Sequence, residues 1–244
     1  MVQARKFESV LDKPSGELAD IIIRTCALFS KDNESSADSA IFPEESISTI
    51  LSIDQDLEAW STSYEEKYMG PPEPKESTRD TYLSSHLKHH RISSSPSNFH
   101  THNLCSSARI ILHEKARNLA RRPVGSSLVS SSNLPSTIPD SYHHLRTVSE
   151  KATKSSVRSI CDAFAQVRQS FSSRQDTTHD IRAGCFTALI WPLFLAGTTY
   201  ITLPSQRDWI AQQLREIGDL TGVQRARVAA SLVHNSSMAD GSVR

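Results

Sequence analysis

The chain has little that points to a particular chemistry. Its 244 residues include only 8 glycines and 4 cysteines, and aromatic residues make up 7% of it. It has no phosphate-binding loop, no G-x-S-x-G nucleophile elbow and no H-E-x-x-H zinc motif. Lysine and arginine total 27, as do aspartate and glutamate, so the excess of positive charge typical of nucleic-acid-binding proteins is missing. We therefore predict no enzyme, no cofactor and no direct DNA binding by these residues.

The cysteines are few and widely separated. They are Cys26, Cys105, Cys161 and Cys185. No two of them have the short spacing of a metal-binding pair, and each lies within an apolar helical pattern. We expect buried, reduced thiols, which fit the nucleus or the cytosol. The first eleven residues contain charges and no apolar run, so we expect no signal peptide.

Apolar residues recur with helical spacing along most of the chain, and no strand-like alternation between hairpin turns occurs. The first predicted helix has Ser15 as its N-cap, and the next four cover 43–69, 98–121, 140–173 and 181–200. The sixth runs from an N-cap at Ser205 to a C-cap at Gly222, and the last covers 223–233. Residues 31–41 are predicted to be a polar loop. The predicted fold is all-α: an irregular helical bundle of about seven helices with long polar loops.

Segments rich in serine and proline divide this bundle. We predict an N-terminal helical part over 1–74, a polar linker or weak helix over 75–97, and a helical core over 98–234. Within that core 123–139 is expected to be a disordered loop, and 235–244 a disordered tail. Residues 183–203 carry no charge, but Pro192 and several threonines within them favour a buried helix over a membrane span.

A few polar and aromatic residues are candidates for a site. Arg109 and His113 lie one turn apart on a predicted helix, which favours a polar contact between helices. Trp60 and Trp191, like Trp209, are predicted to pack in the core. If the domain holds a ligand, Trp60, Arg109, His113 and Trp191 are the candidates to line its pocket. The paired carboxylates Asp54 and Asp56 are expected on an exposed helix face.

Histidines are clustered, but no acid or cysteine completes a ligand set beside them. They include His86, His89, His90, His100, His102, His143 and His144. We expect those at 86–90 and at 100–102 to be solvated loop residues. The alternative is a metal-dependent enzyme that uses His86, His90 and His102 as ligands.

Three segments resemble a known family. They are LSIDQDLEAW at 51–60, the region 103–114 ending in ARIILHE, and 189–232, which contains WPLFLAG and the later residues Arg207, Trp209, Leu214, Ile217 and Gly222. In this order they resemble the C-terminal part of the regulatory region of fungal zinc binuclear cluster transcription factors. That family binds DNA through six cysteines that hold two zinc ions, and the four cysteines here do not match that cluster.

The resemblance implies a nuclear regulator of transcription, with the cytosol as the alternative location. Its partners would be other transcription proteins, including a full-length zinc-cluster factor, and it would respond to a small-molecule effector. Without the zinc cluster, the chain would be a truncated gene product or a stand-alone regulator that acts through protein contacts. A helical module that senses a metabolite is the second hypothesis.

Overall fold

A computed structural model describes residues 13–34, 43–68, 96–121, 140–172 and 179–241. These residues form seven helices and no strand, which confirms the all-α class. The helices are α1 (Lys13–Glu34), α2 (Pro43–Tyr68), α3 (Pro96–Arg121), α4 (Asp140–Ser172), α5 (His179–Thr198), α6 (Pro204–Thr221) and α7 (Gln224–Gly241).

Two clusters of buried apolar side chains hold the helices together. The first lies between α1, α2 and α3, includes Leu57 and Leu112, and takes Leu145 from the start of α4. The second joins the end of α4 to α5, α6 and α7 around Phe164, and takes Ile110 from α3. Since α3 and α4 contribute to both clusters, these two helices connect the halves of the bundle.

The ends of two outer helices differ from the predicted ones. Helix α1 begins at Lys13, so Ser15 lies inside the helix and the N-cap prediction was wrong. The same helix continues to Glu34, into the segment 31–41 that was expected to be a loop. Helix α7 continues to Gly241, although its predicted end was 233 and a disordered tail was expected from 235.

Proline and glycine set both ends of α6. The N-cap is Leu203, in an extended conformation and without a side-chain cap bond, so the predicted Ser205 cap was wrong. Pro204 occupies the start of the helix instead, where its fixed φ suits the first turn and its missing N–H costs no bond. At the other end Gly222 has φ 72 and its N–H donates to the Gly218 carbonyl at 3.0 Å, which confirms the predicted C-cap.

Helix α5 lies against α6 and α7 at close range. A Cβ added at Gly197 would lie 2.7 Å from Val233 Cγ1 and 3.1 Å from Ile210 Cγ2, so only glycine permits this approach. Pro192 is buried inside α5, whereas Trp191 is 54% exposed. Trp209 is also exposed, so the core prediction was wrong for both of these tryptophans.

Several predictions lie outside the described residues. They include residues 75–95 of the linker predicted over 75–97, the loop over 123–139, and His86, His89 and His90, whereas 96 and 97 begin α3. The division into 1–74 and 98–234 therefore stays a prediction. Among the helices that the structure does describe, none combines the length and apolar character that crossing a bilayer requires.

Candidate functional site

A buried polar cluster ties three helices together at Asp54. Arg109 Nε donates to Asp54 Oδ1 at 2.8 Å, and His113 Nε2 lies 2.9 Å from the same oxygen. On its other side, His113 Nδ1 lies 3.0 Å from Ser149 Oγ. Arg109 also lies 3.6 Å from Glu58 Oε2. The cluster thus joins Asp54 on α2, Arg109 and His113 on α3, and Ser149 on α4.

Asp54 is held in its ionised form. Burial alone would raise the pKa of this carboxyl, but the hydrogen bonds from His113 and Arg109, with the charge on Arg109, outweigh burial and lower the pKa to about 2. An ionised carboxylate can only accept hydrogen bonds, so His113 Nε2 carries the proton that it donates to Asp54. The expectation that Asp54 lies on an exposed face was therefore wrong: it is 5% exposed.

Ser149, His113 and Asp54 have the connectivity of a nucleophile, base and orienting acid. All three are buried, however, and Ser149 is only 2% exposed. Ser149 also lies inside α4, where the backbone N–H groups that would stabilise an oxyanion bond within the helix. The arrangement therefore stabilises the packing of α2, α3 and α4 and gives no access to a substrate.

The other predicted site residues do not converge on this cluster. Trp60 is buried, and its Nε1 donates to the Pro14 carbonyl at 3.0 Å, which ties α2 to α1. Its ring stacks on Tyr64 with 4.7 Å between centroids. Trp191 lies on α5, in the other half of the bundle, with its ring centroid 5.6 Å from that of Phe194.

The histidines and cysteines are dispersed over the described helices. His102 is a buried helical residue, not a loop residue as expected: its Nε2 lies 3.4 Å from Glu65 Oε1. His143 and His144 are exposed and lie on α4. Within the described parts of the chain, no group of three or more His, Cys, Asp or Glu residues is placed to hold a metal ion.

Only part of the cysteine prediction is correct. Cys105 is buried, Cys161 and Cys185 are partly buried, and Cys26 is exposed, against expectation. Burial raises the pKa of both Cys105 and Cys161 to about 12. These two thiols are therefore protonated at neutral pH.

A cleft of about 440 Å³ lies where α3 meets the end of α5, the start of α6 and α7. Arg117 and Tyr200 form part of its wall, with the guanidinium carbon 3.8 Å from the centre of the tyrosine ring. Arg117 Nη1 also donates to Glu114 Oε2 at 3.4 Å. Arg207 is buried and donates to the Thr199 carbonyl at 3.2 Å.

Two residues that line this cleft each have one side-chain oxygen with almost no solvent-accessible surface and no hydrogen-bond partner among the described residues. These oxygens are Thr199 Oγ1 and Glu114 Oε1. Buried polar groups are nearly always paired in folded proteins, so each such atom calls for an explanation. The sequence analysis missed this cleft, because it singled out neither Arg117 nor Thr199 as a candidate site residue. Most of its lining residues, including Glu114, Leu195 and Arg207, do lie within the resembling segments 103–114 and 189–232.

A comparison with known protein families shows which family the chain belongs to. Residues 15–236 match the family described as fungal specific transcription factor domain. The chain belongs to this family. No curated protein and no solved structure matches the sequence. The match spans every described helix from α1 to the middle of α7, so the predicted resemblance is confirmed and the role of the chain lies in regulating transcription.

The motifs of the fungal specific transcription factor domain occupy distinct places in the bundle. The segment 51–60 lies in α2 and supplies Asp54, and 103–114 lies in α3 and supplies Arg109 and His113. The segment 189–232 forms most of the second apolar cluster. In this domain the polar pairing of Asp54 with Arg109 and His113 is therefore a contact between two of the resembling segments.

Proposed function

We propose that this chain regulates transcription in the nucleus through contacts with other transcription proteins, including a full-length zinc-cluster factor. The observation that carries the proposal is the family match over residues 15–236. The formal net charge of zero supports protein contacts over contacts with the DNA backbone, since binding to phosphates depends on an excess of lysine and arginine.

The thiols support the same proposal. The family's DNA-binding module requires six cysteines as zinc thiolates, and the sequence holds four. Of these, Cys105 and Cys161 have pKa values raised to about 12 by burial. Cys105 belongs to the first apolar cluster and Cys161 packs against the second, so these positions contribute to the apolar interior.

A tethering experiment tests this function. The chain is fused to an unrelated DNA-binding domain, and a reporter with the matching DNA site is measured in a fungal host. We expect the fusion to change reporter output several-fold relative to the DNA-binding domain alone. The control is a Leu193→Asp fusion at equal expression, because a charge at this buried position disrupts the second cluster. Equal reporter output for the chain and the Leu193→Asp control would contradict the proposal.

An effector-binding role is the second candidate, and the cleft at Thr199 favours it. A bound effector stabilises the folded state by mass action, so its presence raises the melting temperature of the purified chain. The absence of any thermal shift across a broad metabolite panel would count against this role, and it would leave the tethering result unaffected.

A further inference from the structure

We propose that the surface shared by α3, α5 and α7 docks a short amphipathic helix of another transcription protein, with an acidic residue beside the apolar face of that helix. This inference rests on the proposed role in transcription and names the kind of partner. We name the surface the docking face, and it consists of Ile111, Trp191, Leu195, Arg225 and Leu232.

Helices α3 and α5 run side by side in the same direction. The guanidinium carbon of Arg117, near the end of α3, lies 3.8 Å from the ring centre of Tyr200, just past the end of α5. Earlier on both helices, Ile111 and Leu195 line the same cleft. Ile111 is exposed and Leu195 is partly exposed, so both contribute apolar atoms to the surface between the two helices.

Helix α7 also packs along α5 in the same direction. A Cβ added at Gly197 would meet Val233, which sets these two residues at the same level. Further along, Arg207 donates to the Thr199 carbonyl at 3.2 Å and to the Ser236 carbonyl at 3.5 Å. Residues 197–199 are therefore level with 233–236, and the cleft lies between α3 and α7 with the end of α5 in its wall.

Exposed apolar residues extend the cleft along two of its helices. Ser236 lines the cleft, and Leu232 lies one turn earlier on the same side of α7. In the same way, Leu195 lines the cleft and Trp191 lies one turn earlier on α5. Trp191 is 54% exposed and Leu232 is 51% exposed. The cleft and these side chains thus form one apolar face.

The surroundings of Trp191 differ from those of a solitary exposed apolar residue. Leu220 on α6, for example, follows Asp219 directly and Glu216 by one turn. The positions three and four residues from Trp191 on α5 are Thr187, Ala188, Phe194 and Leu195, none of which carries a charge. A contiguous apolar patch on a protein surface marks an interaction site, and tryptophan is enriched among the residues that contribute most to binding.

The arrangement of the docking face fits a helix. Trp191 and Leu195 are one helical turn apart, about 6 Å along the axis, and three neighbouring helices supply the walls of the groove. An amphipathic helix docks into such a groove through apolar anchors at i, i+3 or i+4, and i+7. An uncharged contact face on the partner is required here, because a charge placed over Trp191 would lose its hydration without gaining a counter-charge.

One cation at the edge of the docking face sets the charge of the partner. Arg225 lies two turns before Leu232 on the same side of α7, is exposed, and has no ion-pair partner among the described residues. Arg227, by comparison, pairs with Asp219 at 2.8 Å. The docking face itself includes no acid, so a second copy of the chain that presents this face offers Arg225 no counter-charge. A partner helix with an aspartate or glutamate beside its apolar face supplies one.

The first test selects binders for the purified full chain from a display library of helical peptides of about 18 residues, five turns long. We expect the enriched peptides to carry apolar residues at i, i+3 or i+4, and i+7, with an acid beside them. An enriched peptide is then labelled with a fluorophore, and its affinity is measured by anisotropy. Failure to enrich any peptide, or self-association of the chain that prevents peptide binding, would overturn the proposal.

Substitutions of exposed apolar residues locate the site. We expect Trp191→Ser and Leu232→Ser each to weaken binding of the enriched peptide about tenfold or more. The matched control is Leu220→Ser, which removes a leucine on α6 that is 56% exposed and should bind the peptide as the parent does. Far-UV circular dichroism checks that all three variants are folded. Equal affinities of the parent and Trp191→Ser, or an equal loss in Leu220→Ser, would contradict the docking face.

A charge reversal tests the acid. Arg225→Glu should weaken binding of the acidic peptide about threefold or more, and it should strengthen binding of the same peptide with lysine in place of its acid. The matched control is Arg215→Glu on α6, another exposed arginine without an ion-pair partner among the described residues, and it should change neither affinity. The same response in Arg225→Glu and Arg215→Glu would show that the acid does not meet Arg225.

Peptide binding and the tethered reporter are separate readouts. A chain that binds the peptide through Trp191 but leaves the reporter unchanged would keep the docking face and refute the role in transcription. A reporter that responds equally to the parent fusion and to a Trp191→Ser fusion would keep that role and refute the docking face as its site of contact.

Discussion

Replacing Asp54 by asparagine should destabilise the bundle through the loss of one buried charge. Asparagine keeps the size of the side chain but offers Arg109 and His113 a neutral oxygen in place of a carboxylate. The fall in the Asp54 pKa from 3.8 to about 2 corresponds to roughly 2–3 kcal/mol in favour of the ionised form. We expect Asp54→Asn to lower the free energy of unfolding at pH 7 by about this amount, and the melting temperature by roughly 5–10 °C.

The assay is urea and thermal unfolding followed by far-UV circular dichroism, and Asp56→Asn is the matched control. Asp56 lies on the same helix and pairs with Arg24, but the two side chains are 45% and 50% exposed. Exposed ion pairs of this kind contribute little, so the control should stay within about 0.5 kcal/mol of the parent. Equal unfolding midpoints for Asp54→Asn and Asp56→Asn at pH 7 would refute this reasoning.

The same substitution has a pH signature. The pKa of Asp54 is lower in the folded chain than in the unfolded one, so its contribution is complete above about pH 4 and is lost as the pH falls through about 2. The difference in stability between the parent and Asp54→Asn should therefore shrink as the pH falls through this window. A difference in stability that stays the same at every pH would show that the charge on Asp54 does not cause it.

The remaining predictions concern packing, thiol exposure and a single hydrogen bond. Gly197→Ala should lower the free energy of unfolding by about 1–3 kcal/mol, because its Cβ would meet Val233. Gly184→Ala, whose Cβ meets nothing within 4 Å, should instead stabilise α5 by about 0.5–1 kcal/mol. Similar urea midpoints for the two variants would contradict the close approach of α5 to α7. A thiol reagent at pH 8 should modify exposed Cys26 rapidly and buried Cys105 only on unfolding, as read by mass spectrometry of the native chain; the reverse order would be incompatible with the packing of α3. Trp60→Phe should lower the free energy of unfolding by about 1 kcal/mol, because it removes the hydrogen bond to the Pro14 carbonyl. An unchanged urea midpoint would show that this bond does not stabilise the fold.

Helix number and type could be predicted from the sequence because they depend on local periodicity. The stripe Ile47, Ile50, Leu57, Trp60 and Tyr64 defines the buried face of α2, and all five side chains are in the core. The same spacing could have revealed Asp54, which follows Ile50 by four positions and precedes Leu57 by three. It was predicted to be exposed because its partners, Arg109 and His113, lie 55 and 59 residues away in the sequence.

Exposure within α5 could not be predicted in the same way. This helix is apolar on every side around Trp191, so its own pattern does not say which face meets α6 and α7. The cleft is a second example, since its wall combines Glu114 on α3, Thr199 after α5 and Arg207 on α6. Sites assembled from several helices depend on tertiary packing, which no local window contains.

The most direct test of the central claim is the enrichment of a random double-stranded DNA pool by the purified chain, together with its zinc content. A regulator that acts through protein contacts should enrich no DNA sequence and should contain no stoichiometric zinc. Enrichment of one defined motif together with stoichiometric bound zinc would contradict the account.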